Sequence, residues 1–188
     1  SAEDLTKIST RTVNAGTYVL EPSVLDLIPK DENYSFEYGV FPALLKRCEK
    51  FLAFIDDSYW LDVGTPQRYL FAHQEIINQR VSGFSGEDFR QSADIGLTAE
   101  ICPNSIIGQG CVIKDGAKIK NSVLGENISV GENSTIKNSV ILAETHLDEN
   151  ISITGAILGE NCKIGSNSTI SSETVLGEAS VLTDYSKV

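Results

Sequence analysis

Residues 103–170 read PNSIIGQGCVIKDGAKI, KNSVLGENISVGENSTI, KNSVILAETHLDENISI and TGAILGENCKIGSNSTI, four consecutive units of 17 residues. Aliphatic residues recur through and around them at positions 101, 107, 113, 119, 124, 130, 136, 141, 147, 153, 158, 164, 170 and 176, and every one is Ile, Leu or Val. The steps are six or five residues long. A helix cannot produce this spacing, because a step of six turns through ~600° and scatters the apolar residues around its surface. Short strands joined by tight corners can, and three strand-and-corner faces per unit make one triangular coil. Successive coils then stack ~4.8 Å apart through parallel ladders with aligned apolar columns. Counting from Ile95 gives fifteen faces, or about five coils.

Four positions after each lead residue comes a small or medium uncharged one, such as Ser105, Cys111, Ala117, Val123, Ile128 and Ser134. Both kinds are expected to point inward. Between them lie GQG, KDG, GEN and GSN, where Gly and Asn tolerate the positive φ that a corner demands. Cys111 and Cys162 fall three units apart in one column, hence ~14 Å apart by the coil spacing. That exceeds the ~7 Å Cα limit for a disulfide, so both are expected to be free thiols lining the core.

Residues 1–80 follow another grammar. TVNAGTYVL at 12–20 suits a buried strand, Pro22 opens a short helix through SVLDLI, and EYGVFPALLKRC at 37–48 looks helical. FLAFID at 51–56 and YWLDV at 59–63 read as strands, with Gly64 ending the second. Thr65 caps and Pro66 begins a helix whose Tyr69, Leu70, His73, Ile76 and Ile77 share one face. Alternating strands and helices mean an α/β sheet, but too few elements are present to cover both faces of one. Residues 1–80 are therefore expected to be the C-terminal part of a larger catalytic domain, with 81–94 a Gly-, Ser- and acid-rich linker and 95–188 the coil stack.

Composition narrows the function. The 188 residues carry a formal charge of −11, with acidic excess in both halves, a surface that repels phosphate backbones and anionic lipid. No nucleic-acid or membrane partner is expected. The start of the chain lacks the order of a signal peptide, and Cys48, Cys102, Cys111 and Cys162 form no CxxC pair. A cytoplasmic location with reduced thiols follows as the expectation.

With these motifs in view the chain resembles the sugar-1-phosphate nucleotidyltransferases, most closely the mannose-1-phosphate guanylyltransferases. The matching elements are NAGTYVLEPSVLDLIP at 14–29, FEYGVFPALL at 36–45 and YWLDVGTPQRYLFAHQEII at 59–77, followed by the hexapeptide repeats. The resemblance implies a Rossmann-like α/β domain followed by a left-handed parallel β-helix. It also implies Mg²⁺-dependent attack of a sugar 1-phosphate oxygen on the α-phosphorus of a nucleoside triphosphate, GTP for this branch. Glucose-1-phosphate thymidylyl-, adenylyl- or uridylyltransfer is the alternative within the family.

By that resemblance Asp62 is one of two family aspartates that hold the metal; on its residue type alone it could simply end a strand. Asn14, Ala15 and Gly16 match the segment that meets the sugar: an amide offers both a donor and an acceptor, and small neighbours admit a ring. An Asn satisfied in a turn explains the same residues. Glu37 matches an acidic position near the sugar, though a carboxylate at a helix N-terminus also explains it. The family's GxGxRLxPLT triphosphate signature, its first metal aspartate and its EKP lysine are all missing from these 188 residues, so the chain alone is expected to be inactive. His146 raises a rival, since many hexapeptide β-helices are acyltransferases with a histidine base, but no long inserted loop accompanies it. A β-helix with flat faces also suits subunit contact, so a homo-oligomer is expected.

Overall fold

A computed structural model of the chain describes residues 12–83 and 88–188. The chain divides into two compact units after Trp60. In the second, sixteen strands form three parallel sheets of six, five and five strands, the sides of a prism. The first face stacks Asp94–Ile95, Val112–Ile113, Ser129–Val130, His146–Leu147, Lys163–Ile164 and Val181–Leu182. The second stacks Glu100–Ile101, Lys118–Lys120, Thr135–Lys137, Ser152–Thr154 and Thr169–Ile170, and Lys187 continues it by a bridge to Thr169. The third stacks Ile106–Ile107, Val123–Leu124, Val140–Ile141, Ile157–Leu158 and Val175–Leu176. The strand Val181–Leu182 adds a sixteenth face to the fifteen expected from the spacing.

Every lead residue from Ile107 to Ile170 is buried, and the inward columns close the core. One column differs from expectation. Val123 points outward and is half-buried, while Ser122 before it is fully buried. Where the step shortens to five, the inward residue comes three positions after the lead, as Ser122, Ser139 and Ala156 show. The two serine hydroxyls brace the stack: Ser139 N–H donates to Ser122 Oγ (3.2 Å) and Ala156 N–H to Ser139 Oγ (3.1 Å). Corners run through left-handed residues, mostly Asn, including Asn127 (φ 54°), Asn133 (φ 56°) and Asn161 (φ 58°). At Gly108 the coil above comes so near that a side chain would strike the Gly125 carbonyl.

The helix Pro66–Ile77 belongs to this unit and starts as its sequence implies, with Thr65 Oγ1 accepting from Arg68 N–H (3.2 Å) and Pro66 in the first turn. It lies on the third face. Pro66, Gln67 and Leu70 adjoin Ile157 and Val175, and Gln74 Nε2 donates to the Asn121 carbonyl (2.7 Å) two coils away. Asn78 Oδ1 accepts from Asn104 Nδ2 (3.0 Å) at the far end. The outward column of that face is Ile106, Val123, Val140, Ile157 and Val175, all β-branched, and the helix explains why Val140 and Ile157 keep only 2% and 9% of their surface. Within the expected linker, residues 84–87 lie outside the described residues; Phe89 N–H already donates to the Ile107 carbonyl (2.8 Å) of the first coil.

The first unit has a 3₁₀ turn at Pro22–Leu27, a π turn at Phe36–Val40 and an α-helix at Phe41–Lys46, close to the helical segments expected there. The expected strands at 12–20, 51–56 and 59–63 do not form; these stretches are irregular, with a bend at Gly16 and another at Ser58 between the last two. A strand exists only when a neighbour takes up its N–H and C=O groups, and among the described residues none does so. Their apolar side chains stay exposed, Val19 completely and Phe54 to 92%. Among the described residues no helix is long and apolar enough to cross a membrane.

Candidate functional site

Asn14 and Glu37, singled out from sequence, meet in the first unit. Asn14 Nδ2 donates to Glu37 Oε1 at 3.3 Å and to the Tyr18 hydroxyl at 2.6 Å, while Asn14 Oδ1 accepts from Gly16 N–H at 2.9 Å. The last bond is an Asx turn, and Gly16 takes the positive φ of 73° that follows it. Ala15 and Gly16 are exposed, and nothing lies within 4 Å of where a Cβ on Gly16 would sit. The turn thus leaves an open shelf beside an amide and a carboxylate.

An aromatic cluster fixes the pair. The Tyr18 ring packs edge-on against Phe41 at 4.9 Å and stacks with Phe36 at 6.1 Å, and Phe41 stacks on Phe51 at 5.1 Å. Ser35 Oγ caps the turn carrying Glu37 by accepting from Tyr38 N–H (3.2 Å). Tyr18 was not anticipated as part of this site; its signal was the four-residue spacing from Asn14.

Asp62 lies in the second unit, exposed, in an irregular stretch instead of at the end of a strand. Gly64 lies two residues on, where a Cβ would make only ordinary contact with Asp62 Oδ1 at 3.7 Å. Among the described residues no group of three or more His, Cys, Asp and Glu side chains could hold a metal ion. A lone carboxylate is a hard oxygen donor of the kind Mg²⁺ takes, with phosphates and water completing its shell, but it does not build a metal centre by itself. His73 is half-buried against Tyr69, its Nδ1 2.9 Å from that residue's carbonyl oxygen, a packing role. His146 Nε2 sits 3.0 Å from Asp148 Oδ1 on the exposed first face beside Lys163.

A coil stack of hexapeptide repeats that follows a nucleotidyltransferase segment defines a class. Residues 4–79 match the family model described as nucleotidyl transferase, and residues 89–188 match that of the EIF2B subunit epsilon LbH domain. The chain belongs to the sugar-1-phosphate nucleotidyltransferase family, in the form that carries a C-terminal β-helix. More particularly, it is similar to the mannose-1-phosphate guanylyltransferase of Mycobacterium tuberculosis, 32% identical over 117 residues, 58% of this chain and 33% of that one. The probable mannose-1-phosphate guanylyltransferase 3 of Oryza sativa subsp. japonica is 30% identical over 140 residues, 69% of this chain and 38% of the relative. Glucose-1-phosphate adenylyltransferase of Desulfitobacterium hafniense is 30% identical over 155 residues, 73% and 38% of the two chains. The chain thus spans little more than a third of the length of these relatives. Among solved structures, the acetyltransferase domain of PglB from Neisseria gonorrhoeae superposes with a TM-score of 0.50 at 23% identity, covering 51% of this chain and 48% of that one. That likeness concerns the β-solenoid fold alone.

Proposed function

We propose that this chain is the C-terminal portion of an enzyme that makes a nucleoside diphosphate sugar and pyrophosphate from a nucleoside triphosphate and a sugar 1-phosphate. GTP and mannose 1-phosphate are its substrates. The observation that carries this reading is the Asn14–Glu37 contact, which joins two separate family motifs into one polar site open to a sugar ring. The guanylyltransferase relatives support the choice of mannose and guanosine, and the adenylyltransferase relative favours glucose and adenosine as the second reading.

In the reaction a phosphate oxygen of the sugar 1-phosphate attacks the α-phosphorus, the bond to the bridging β-phosphate oxygen breaks, and pyrophosphate leaves. Asn14 and Glu37 bind and orient the sugar: the amide donates to a ring hydroxyl and the carboxylate accepts from another. Asp62 supplies one of the hard oxygen ligands for Mg²⁺, with further ligands coming from phosphates, water and the part of the enzyme outside this chain. When bound, the ion neutralises the phosphate oxygens that the two anionic substrates bring together. The β-helix serves assembly of the enzyme.

The test joins this chain to the remainder of its reading frame and measures pyrophosphate release from GTP, ATP, UTP and dTTP against glucose and mannose 1-phosphates. Mg²⁺-dependent release, greatest with GTP and mannose 1-phosphate, is expected, and none from the 188 residues alone. Release with no pair, or acetyl transfer from acetyl coenzyme A instead, would overturn the reading.

A further inference from the structure

The helix Pro66–Ile77 lies lengthwise along the coil stack, and the two lengths agree. From Pro66 to Asn78 the chain rises ~18 Å, and the four coil steps from Val175 to Ile106 cover ~19 Å. The first turn of the helix stands over the Val175 coil, and Asn78 reaches the coil of Asn104 and Ile106. The column beneath it, Ile106, Val123, Val140, Ile157 and Val175, offers much the same β-branched surface at every rung. Helix residues that share a face recur every ~5.4 Å, out of step with coils ~4.8 Å apart. Such packing holds the helix down without choosing where along the stack it stops. The directional contacts lie at the far end: Gln74 Nε2 donates to the Asn121 carbonyl (2.7 Å) and Asn104 Nδ2 donates to Asn78 Oδ1 (3.0 Å). Gln74 is half-buried, so water competes poorly for its amide.

We propose that Gln74 and Asn104 are positioning residues for Asp62, a role that rests on the nucleotidyl-transfer reading of that carboxylate. Their two bonds fix the helix along the stack, and the helix fixes the carboxylate. All of these residues belong to the same compact unit. Asp62 precedes Pro66 by four residues, so its Cα stays within ~14 Å of the helix start. Thr65 Oγ1, accepting from Arg68 N–H at 3.2 Å, and the fixed φ of Pro66 set the direction in which the chain leaves that start towards Asp62.

A slip of one coil would carry the whole helix start ~4.8 Å along the stack. A misplacement of ~1 Å already costs a reacting group about a hundredfold in rate. The prism therefore does more than assemble the enzyme: it is the fixed scale against which the metal carboxylate is placed. Neither Gln74 nor Asn104 touches substrate in this role. Both act through the helix, from the end of it that lies farthest from Asp62.

Gln74→Met combined with Asn104→Ala removes both bonds and leaves the helix and its caps intact. In the 188-residue chain with Cys48→Ser and Cys102→Ser, spin labels at Arg68→Cys and Val112→Cys, both exposed positions, read the distance between helix start and prism. Double electron–electron resonance should give one narrow distance distribution for the parent. For the double variant it should broaden or shift by about one coil, ~5 Å. In the complete enzyme the double variant should lower kcat about tenfold and raise the Mg²⁺ concentration for half-saturation several-fold, with KM for mannose 1-phosphate unchanged. Gln74→Lys in place of Gln74→Met returns a donor and should recover most of the loss. An unchanged distance distribution would overturn the inference, and so would a loss that the donor at 74 does not recover. A displaced helix with kcat and Mg²⁺ requirement unchanged, while Asp62→Asn is inactive, would overturn the positioning role and leave the metal assignment standing. Full turnover by Asp62→Asn would instead remove the metal assignment, and the positioning role with it.

Discussion

Asn14 donates through its side-chain amide to the carboxylate of Glu37, 3.3 Å away across 23 residues of chain. If the pair holds the sugar, then in the complete enzyme Asn14→Ala and Glu37→Gln should each raise KM for the sugar 1-phosphate about tenfold. That is the effect of losing one hydrogen bond worth ~1.4 kcal/mol. Because the two groups also bond each other, the double variant should lose less than the product of the single effects. Steady-state kinetics over the four-member cycle checks this, and strictly multiplicative losses would show two independent residues instead of one site.

Asp62 is exposed and makes no ion pair among the described residues, so its carboxylate does nothing for the fold that a neutral group would not do. Asp62→Asn should therefore leave the unfolding free energy of the chain unchanged within the ~0.5 kcal/mol typical of surface substitutions, as urea unfolding reads it. In the complete enzyme it should lower kcat by about a hundredfold or more, since a carboxylate that neutralises phosphate charge acts mainly in the transition state. A stable variant with near-normal turnover would remove Asp62 from the metal site.

The prism was legible because its period is dictated by local rules: one apolar lead per short strand, one left-handed corner per turn. Cys111 and Cys162 were placed by this arithmetic alone and are buried free thiols, as expected. Val123 was misplaced because the five-residue step moves the inward position by one, a shift invisible until Ser122 is seen to be buried. The strands expected at 12–20, 51–56 and 59–63 failed for the opposite reason. Their apolar, β-branched composition states a preference for a sheet, but pairing depends on partners distant in sequence. Asn14 and Glu37 were legible one at a time; their contact, and the part Tyr18 plays in it, required the turn at Pro22–Leu27 and the helix at Phe41–Lys46 to bring the segments together.

The helix over the third face makes a prediction that the hexapeptide pattern alone would reverse. Val112 and Val140 both occupy outward positions on their strands, yet Val112 is 38% exposed and Val140 only 2%. Val140→Ser should cost about 1–2 kcal/mol, whereas Val112→Ser should cost a few tenths. Urea unfolding of the two variants decides it. Equal costs would mean that the helix Pro66–Ile77 does not stay on the prism in solution.

Burial also sorts the four thiols. Desolvation pushes Cys111 and Cys162 above the ordinary thiol value, while Cys48 is exposed and Cys102 half-buried. An aromatic disulfide reagent at pH 8 should label Cys48 first and Cys102 more slowly, and reach the two core thiols only on unfolding. The neutral thiols fix the sign of the pH effect. Their contribution to stability is complete below the unfolded thiol pKa and declines as the pH climbs above it, because the unfolded chain ionises first. Rapid labelling of four thiols in native buffer would contradict the packed core.

The corners offer the sharpest test of the coil geometry, because one substitution should change sign with position. Ala179 occupies a corner column shared with Asn127, Glu144 and Asn161 and sits at φ 57°, where its Cβ is crowded by its own backbone. Its N–H still serves the stack, donating to the Glu160 carbonyl at 2.8 Å as Asn161 donates to Ala143 one coil below. Gly keeps that N–H and sheds the crowding, so Ala179→Gly should stabilise the chain by about 1 kcal/mol. Ala156 is fully buried in an inward column and has no positive φ. There the same change deletes a packed methyl and loosens the backbone, and should destabilise by about 1–2 kcal/mol. Thermal unfolding of the two variants should move the melting temperature by several degrees in opposite directions, and a loss at both positions would mean that residue 179 does not hold the left-handed corner.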